Sequence, residues 1–412
     1  MDASGGPSAR MPLAPVGEEL SPAERTRFAR HVILPGVGDR GQRRLRSARV
    51  LVVGAGGLGS PVLLYLAAAG VGRLTVVDDD VVEATNLQRQ VLHGIADVGR
   101  AKVDSAVQAL ALLAPEVEVR PVSQRLVADN VLDLVADHDV VVDGADNFPT
   151  RYLVGDACAR LGVPHVWGSV YQHDAQVSVW WSGVGPCYRC VFPSPPPPGA
   201  VPSCSTGGVL GASVGTIGSV MAEEVVKLLI GGGEPLVGRL LVHDAWRQEW
   251  STLPVAANPD CVVCGAGADP RRPLGIGATE SSQDGAEEAS GDGAGTARPS
   301  LPSISVVDLA TRLAARESGS DEFVLVDVRE PGERDVVVIP GALAVPLGEV
   351  RARGGEALAE VAHGIPVLVH CKSGARSAEA VERLRAEGVD AVDVTGGVLA
   401  WVRDVDPTQP TY

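Results

Sequence analysis

The sequence has no apolar run approaching the ~20 residues that a membrane-spanning helix needs. Its longest, PVLLYLAAAGVG, ends at Arg73. The opening stretch, MDASGGPSARMPLAPVGEE, lacks the apolar core of a secretory signal, so a cytoplasmic protein without a membrane role is expected. A basic surplus is also missing. Lys and Arg number 35 against 51 Asp and Glu, a net charge of −16, which disfavours nucleic acid as a partner. Seven cysteines in 412 residues is an odd and sparse count for a disulfide framework, and the Cys-x-x-Cys pairs among them point to metal or thiol chemistry instead. No internal repeat is found.

The chain is long enough for two or three domains, and 45% hydrophobic residues suffice for full cores. Residues 1–20 read as a disordered Pro/Gly/Ser-rich tail. Ser21 opens SPAERTRFARHVIL as an amphipathic helix, with Ser at the N-cap, Pro22 first and Glu24 closing a capping box. A short helix, DRGQRRLRSA, follows. From Arg49 to about Ala145, apolar β-rich runs alternate with helical patterns, which predicts a mostly parallel sheet covered on both faces. QVSVWW reads as an antiparallel strand, PSPPPPGAVPSC as an exposed stiff loop, and GGVLGASVGTIGSVMAEEVVKLLIG as a closely packed helix. Residues 266–302 read as a flexible linker poor in large apolar residues. From 303 to 406, FVLVDVRE, PVLVHC and AVDVTGG read as strands of a second, smaller α/β unit.

Arg49 to Gly59, RVLVVGAGGLG, reads as strand, tight turn and helix start, with Gly54, Gly56 and Gly59 on a G-x-G-x-x-G pattern. The glycines bring backbone N–H groups and a helix N-terminus to a phosphate. NAD, FAD and ATP fit that loop equally. Asp78, at the end of the second strand, suits ribose hydroxyls. Asn86, Arg89 and Lys102 then place an amide and two cations beside the site, which favours a triphosphate over a dinucleotide. Asp146, after VVVDG, sits where a carboxylate can hold Mg²⁺ between phosphates.

GAGGLGSP, DDDVVEATNLQRQ, VGRAKVDSA and DGADN together resemble the MoeB/ThiF adenylyltransferases, relatives of the ubiquitin-activating enzymes. The resemblance runs from about Ser21 to Gly265 and assigns 21–265 to such a domain, with a Rossmann-like α/β fold. It implies a Mg-ATP site of Gly54, Gly56, Gly57, Gly59, Asp78, Asn86, Arg89, Lys102 and Asp146. It also implies a homodimer in which Arg30 reaches the partner subunit's nucleotide. The implied reaction is attack of a carrier protein's terminal glycine carboxylate on the α-phosphorus of ATP.

Cys187-Tyr-Arg-Cys190 and Cys261-Val-Val-Cys264 are two C-x-x-C knuckles. Four thiolates at that spacing suit tetrahedral Zn²⁺ with no open position, a structural site. Cys204 ends the proline-rich loop. The resemblance implies that it takes up the activated carboxylate or joins the sulfur-transfer path. Cys158 lies in an apolar helix and reads as core.

In the smaller unit, Cys371 follows the strand PVLVH and precedes a helix, with Lys372, Ser373, Gly374, Ala375 and Arg376 completing a six-residue loop. Converging backbone N–H groups, the helix N-terminus and the two cations suit a thiolate and an anionic persulfide. His370 reads as a packing residue. LVDVREPGE, VIPGA, this loop and VTGGVLAW, in that order, resemble the rhodanese domain, which implies that Cys371 carries a persulfide.

An adenylating domain fused to a rhodanese domain resembles the MoeZ-type, molybdopterin-synthase sulfurylase family. That family implies activation of a small ubiquitin-like sulfur carrier (MoaD-, ThiS- or CysO-like) and its conversion to a C-terminal thiocarboxylate, with thiosulfate or a cysteine desulfurase as sulfur donor. The alternative is an activating enzyme that passes a ubiquitin-like protein on as a thioester for conjugation.

Overall fold

Two separate sheets account for the strand–helix alternation. The structure, a computed structural model, describes residues 11–196, 208–276, 301–359 and 364–411. The chain divides into two compact units, residues 1–285 and 286–412. Cys204 and the end of the proline-rich loop lie outside the described residues.

The larger unit holds eight strands: β1 (Arg49–Val53), β2 (Arg73–Val77), β3 (Glu118–Val122), β4 (Val140–Asp143), β5 (His165–Tyr171), β6 (Asp174–Trp180), β7 (Arg239–Asp244) and β8 (Glu249–Pro254). Their order is β3-β2-β1-β4-β5-β6-β7-β8. Pairing is parallel from β3 to β5 and antiparallel from β5 to β8. Val50, Leu51 and Val52 are wholly buried. Such near-continuous apolar runs follow from helices covering both faces of a parallel sheet. The helices Gly59–Ala68, Lys102–Leu113 and Gly211–Ile230 supply one core, and Ala128–Ala136 with Phe148–Leu161 supply the other. The Gly211–Ile230 helix packs closely because it is glycine-rich. A Cβ on Gly218 would sit 2.3 Å from Pro61 Cγ.

The opening capping box forms as expected, with Ser21 Oγ accepting from Glu24 N–H and Glu24 accepting from Ser21 N–H. The single helix expected from there is instead two, Pro22–Arg27 and Ala29–Val32. The backbone leaves helical geometry at Phe28, whose buried ring packs against Gly70. The end of the stretch expected to be linker, Leu274 to Ile276, instead packs on this unit. Arg189, between the first two knuckle cysteines, forms a bidentate pair with Asp156 at 2.7 and 3.0 Å. Its guanidinium also donates to Gly275 O at 2.8 Å, and Asp156 accepts from Gly275 N–H at 2.8 Å.

Both partners of that ion pair are almost fully buried. Removing one partner strands the other charge, so Arg189→Met is expected to destabilise this unit by about 3–5 kcal/mol. Guanidinium unfolding followed by tryptophan fluorescence checks it. A loss below about 1 kcal/mol would mean that the pair is dispensable.

The smaller unit is a five-stranded sheet of β9 (Ser303–Ile304), β10 (Val324–Asp327), β11 (Leu343–Ala344), β12 (Val367–His370) and β13 (Ala391–Val394), in the order β11-β10-β12-β13-β9. All pairings are parallel. The central β12 is buried at every position and delivers Cys371 at its carboxyl end. Among the described residues, no helix is long and apolar enough to cross a membrane.

Candidate functional site

In the larger sheet the chain reverses direction of travel between β1 and β4, the place where open α/β sheets bind ligands. A cleft opens there at the strands' carboxyl ends. Gly54 leaves β1 with φ of +87°, in the left-handed region that glycine tolerates. Gly59 begins the next helix so close to the turn that a Cβ would sit 1.9 Å from Gly54 O. Gly54, Gly56 and Gly57 line the cleft.

Asp78 lines it as well. Its carboxylate accepts from Ala55 N–H at 2.7 Å and Asp80 N–H at 2.9 Å, which ties the end of β2 to the glycine turn. Burial raises this carboxyl above its ordinary range, against the pull of the Lys102 ammonium. Lys102 starts its helix, is nearly buried, and donates from Nζ to Asp80 at 2.6 Å. Arg89 borders the cleft and donates to Thr85 O at 3.1 Å. Asp146 lies exposed in the lining, beyond β4.

Asn86 stands behind the wall instead of in it. It is buried, and its Oδ1 accepts from Glu83 N–H at 3.1 Å, holding the turn that carries Arg89. Arg30 does not line its own chain's cleft; it is exposed. The lining also includes polar residues that the sequence reading does not single out, among them Asp80, Gln90, Arg125 and Arg151. Arg151 donates from Nε to Ala145 O at 3.0 Å. Its signal was position, on the first turns of the helix that follows Asp146.

The four knuckle cysteines converge, with Sγ separations of 3.7 Å for Cys187–Cys190, 3.6 Å for Cys187–Cys261 and 3.4 Å for Cys190–Cys264. All four sulfurs lie within 4.8 Å of one another. Burial, then the neighbouring sulfurs, pushes the Cys187 thiol up. A cluster of this kind, with Cys187 and Cys261 buried and Cys190 and Cys264 half-buried, fits a soft dication that neutralises thiolates. Cys158 is buried and apolar in setting, as expected.

In the smaller unit, Cys371 is 1% exposed. Its Sγ accepts from Gly374 N–H at 3.1 Å and from the Ser377 hydroxyl at 3.5 Å. The helix Ala375–Ala386 begins at once. The loop is braced from the other side, where Val398 N–H donates to Cys371 O at 2.9 Å and Leu399 N–H to Lys372 O at 3.1 Å. Ser373 and Ala375 are exposed and Lys372 is half-buried. Arg376, expected to add its charge to the loop, is instead held by Glu333 through two 2.7 Å bonds. REPGE thus supplies the loop's clamp, a link between distant segments that spacing alone does not reveal.

Below the loop, Asp327 and Arg329 form a wholly buried pair at 2.7 Å, with His370 3.8 Å from the same carboxylate. Burial pushes His370 from its ordinary 6.5 down to about 4, with Asp327 opposing. The folded value is depressed, so the unfolded chain binds more protons between 6.5 and about 4. Stability from this group is present above 6.5 and lost as pH falls through that window, by about 3 kcal/mol. Hydrogen exchange of β12 at neutral pH and near pH 4 checks the loss; equal protection at both would contradict it.

The larger unit is thus a mononucleotide-binding α/β domain, and the smaller one a parallel α/β domain built around a cradled cysteine. The chain belongs to the ThiF family, whose model matches residues 28–263, and residues 310–404 match the Rhodanese-like domain. It is 43% identical over 406 residues to the probable adenylyltransferase/sulfurtransferase MoeZ of Mycobacterium tuberculosis, covering 97% of this chain and 98% of that protein. It is 52% identical over 247 residues to the sulfur carrier protein adenylyltransferase of Thermus thermophilus, covering 59% of this chain and 91% of that one. Among solved structures, a complex of E. coli MccB with MccA-N7isoASN shares the fold, with TM-score 0.51 and 24% identity over 55% of this chain and 70% of that chain.

Proposed function

We propose that this enzyme adenylates the C-terminal glycine of a small ubiquitin-like sulfur carrier and then places sulfur on it from a Cys371 persulfide. The observation that carries the reading is the joining, in one ThiF-family chain, of a nucleotide cleft to a sulfur atom held by converging N–H and O–H donors.

Gly54, Gly56 and Gly57 hold phosphates through backbone N–H groups, and Asp78 faces the ribose. Arg89 and Lys102 neutralise phosphate charge, with Asp80 holding the Lys102 ammonium until the nucleotide arrives. Asn86 supports Arg89 from behind. Asp146, an exposed carboxylate beside these cations, fits Mg²⁺, which when bound screens the phosphates. The carrier carboxylate forms a bond to the α-phosphorus as the bond to pyrophosphate breaks.

Cys371 as thiolate takes a sulfane sulfur from thiosulfate, releasing sulfite, or from a desulfurase persulfide, releasing its cysteine. The terminal sulfur then attacks the acyl carbon and AMP leaves. A thiol, from Cys204 or an external reductant, attacks Cys371 Sγ, and the S–S bond breaks to free the thiocarboxylate. A second thiol then restores Cys371.

The four cysteines hold Zn²⁺ as a structural tie. Metal analysis of the purified protein finding no zinc would contradict this. The protein works as a homodimer: Arg30 is exposed beside Ile33 and Leu34, which are 67% and 49% exposed and offer apolar surface to a partner copy. Light scattering that gave a monomer would remove Arg30 from the site.

Pyrophosphate exchange into ATP tests the first half, and it should require the carrier's terminal glycine. A carrier–enzyme thioester without sulfur incorporation would favour the conjugating alternative.

A further inference from the structure

Arg151 is 8% exposed and lines the nucleotide cleft, yet among the described residues no carboxylate pairs with its guanidinium. Its Nε donates to Ala145 O at 3.0 Å, and its Cζ lies 5.5 Å from the centre of the Phe148 ring. Neither Nη group has a hydrogen-bond partner among the described residues. The carboxylates nearby in the chain do not take it. Asp143 accepts from Ala145 N–H at 2.9 Å and stands 3.2 Å from His165 Nε2, and Asp146 lies exposed in the lining. Burying a cation without a counter-charge is costly, and its retention in a ligand cleft calls for an anion from outside. The phosphates have other cations: Arg89 packs beside Gly57, and Lys102 is tied to Asp80 beyond β2. Sheet order sets β2 and β3 on one side of β1, and β4 and β5 on the other, and Arg151 follows β4. The lining contributed from that side includes apolar Val170, near the end of β5, and Val209, bridged to Gln172 just beyond it. A single negative charge at the end of an uncharged chain fits this part of the cleft, as a carboxylate on a glycine tail does.

We propose that Arg151 binds the terminal carboxylate of the carrier and holds it for attack on ATP. This rests on the reading of the larger unit as a carrier adenylyltransferase, and it names the residue that grips the nucleophile. The bond from Nε to Ala145 O ties the guanidinium down and leaves the two Nη groups for the two carboxylate oxygens, a forked geometry that lysine lacks. Ala145 directly precedes Asp146, so one turn places both Asp146 and the bound carboxylate. One carboxylate oxygen forms the bond to the α-phosphorus as the bond to pyrophosphate breaks, and the displaced charge leaves with pyrophosphate. The other oxygen stays on Arg151 as the acyl carbonyl. No proton moves in this step.

The test is binding of a fluorescently labelled carrier to the full-length protein without nucleotide, using a carrier that supports pyrophosphate exchange by the wild type. Its partner probe is the same carrier ending in glycinamide. The wild type should bind the carboxylate form about tenfold more tightly, the scale of hydrogen bonds to a charged group. Arg151→Gln should bind both forms alike. In the exchange assay its kcat/KM for the carrier should fall about tenfold while its KM for ATP stays at the wild-type value. Arg151→Lys should keep part of the preference, because it retains the charge and loses the fork. A wild type that takes both forms equally would overturn the assignment, as would a full preference surviving in Arg151→Gln. A raised KM for ATP with carrier binding unchanged would also overturn it, since the ligand would then be a phosphate. Equal weakening toward both carrier forms would assign Arg151 to the fold alone. If Arg151→Gln fails to fold, Arg151→Lys decides, and an undiminished preference in that variant overturns the assignment. If no carrier supports exchange by the wild type, the adenylyltransferase reading itself fails and Arg151 has no carboxylate to hold.

Discussion

Cys371→Ala is expected to lose sulfur transfer to background while retaining carrier-dependent pyrophosphate exchange at the wild-type rate. The sulfur atom is the group that changes bonding partners, and no donor around it can replace a missing nucleophile. The fold should survive, because Cys371 sits in an apolar cluster with Val326, Val369 and Ala380, where alanine removes one heavy atom. The nucleotide cleft belongs to the other compact unit, so adenylation has no cause to change. Intact mass of enzyme and carrier, read beside the exchange assay, checks both halves. Thiocarboxylated carrier formed at the wild-type rate by the alanine variant would refute the sulfur pathway.

Lys102→Ala should have the opposite profile. Pyrophosphate exchange should fall about 10²–10³-fold, the usual effect of removing one preorganised charge from a developing phosphoryl centre. Sulfur loading of Cys371 from thiosulfate should be unaffected. The nearly buried ammonium has Asp80 as its 2.6 Å partner, and that aspartate is 66% exposed and able to turn away when a phosphate arrives. Asp80→Asn should therefore cost much less than Lys102→Ala, because it removes the placeholder and leaves the cation. A Lys102→Ala exchange rate within about tenfold of wild type would show that Lys102 serves the fold and not the nucleotide.

Much of this was legible in the sequence because it is local. Strand, glycine turn and helix follow one another between Arg49 and Ala68, and the two C-x-x-C pairs carry their own geometry. Cys371 is placed by the strand before it and the helix after it. What stayed hidden depends on segments brought together from afar. Glu333 clamps Arg376 across 43 residues of chain, and Asp156 reaches Arg189 and Gly275 from another helix. Asn86 illustrates the converse. Its position in the motif suggested a ligand contact, whereas local turn geometry drew its amide onto the Glu83 N–H. The early end of the first helix at Phe28 has the same origin, since burial of one ring outweighed a continuous helical pattern.

The central claim, that one chain both activates a carboxylate and delivers sulfur to it, is tested most directly by the carrier's own mass. The full-length protein is incubated with ATP, thiosulfate and each of a set of small ubiquitin-like carriers ending in glycine. The account predicts that one or more carriers gain the mass of a sulfur in place of an oxygen, and that omitting ATP abolishes the gain. Carriers that return at their original mass, or are recovered only as enzyme thioesters without sulfur, would contradict it.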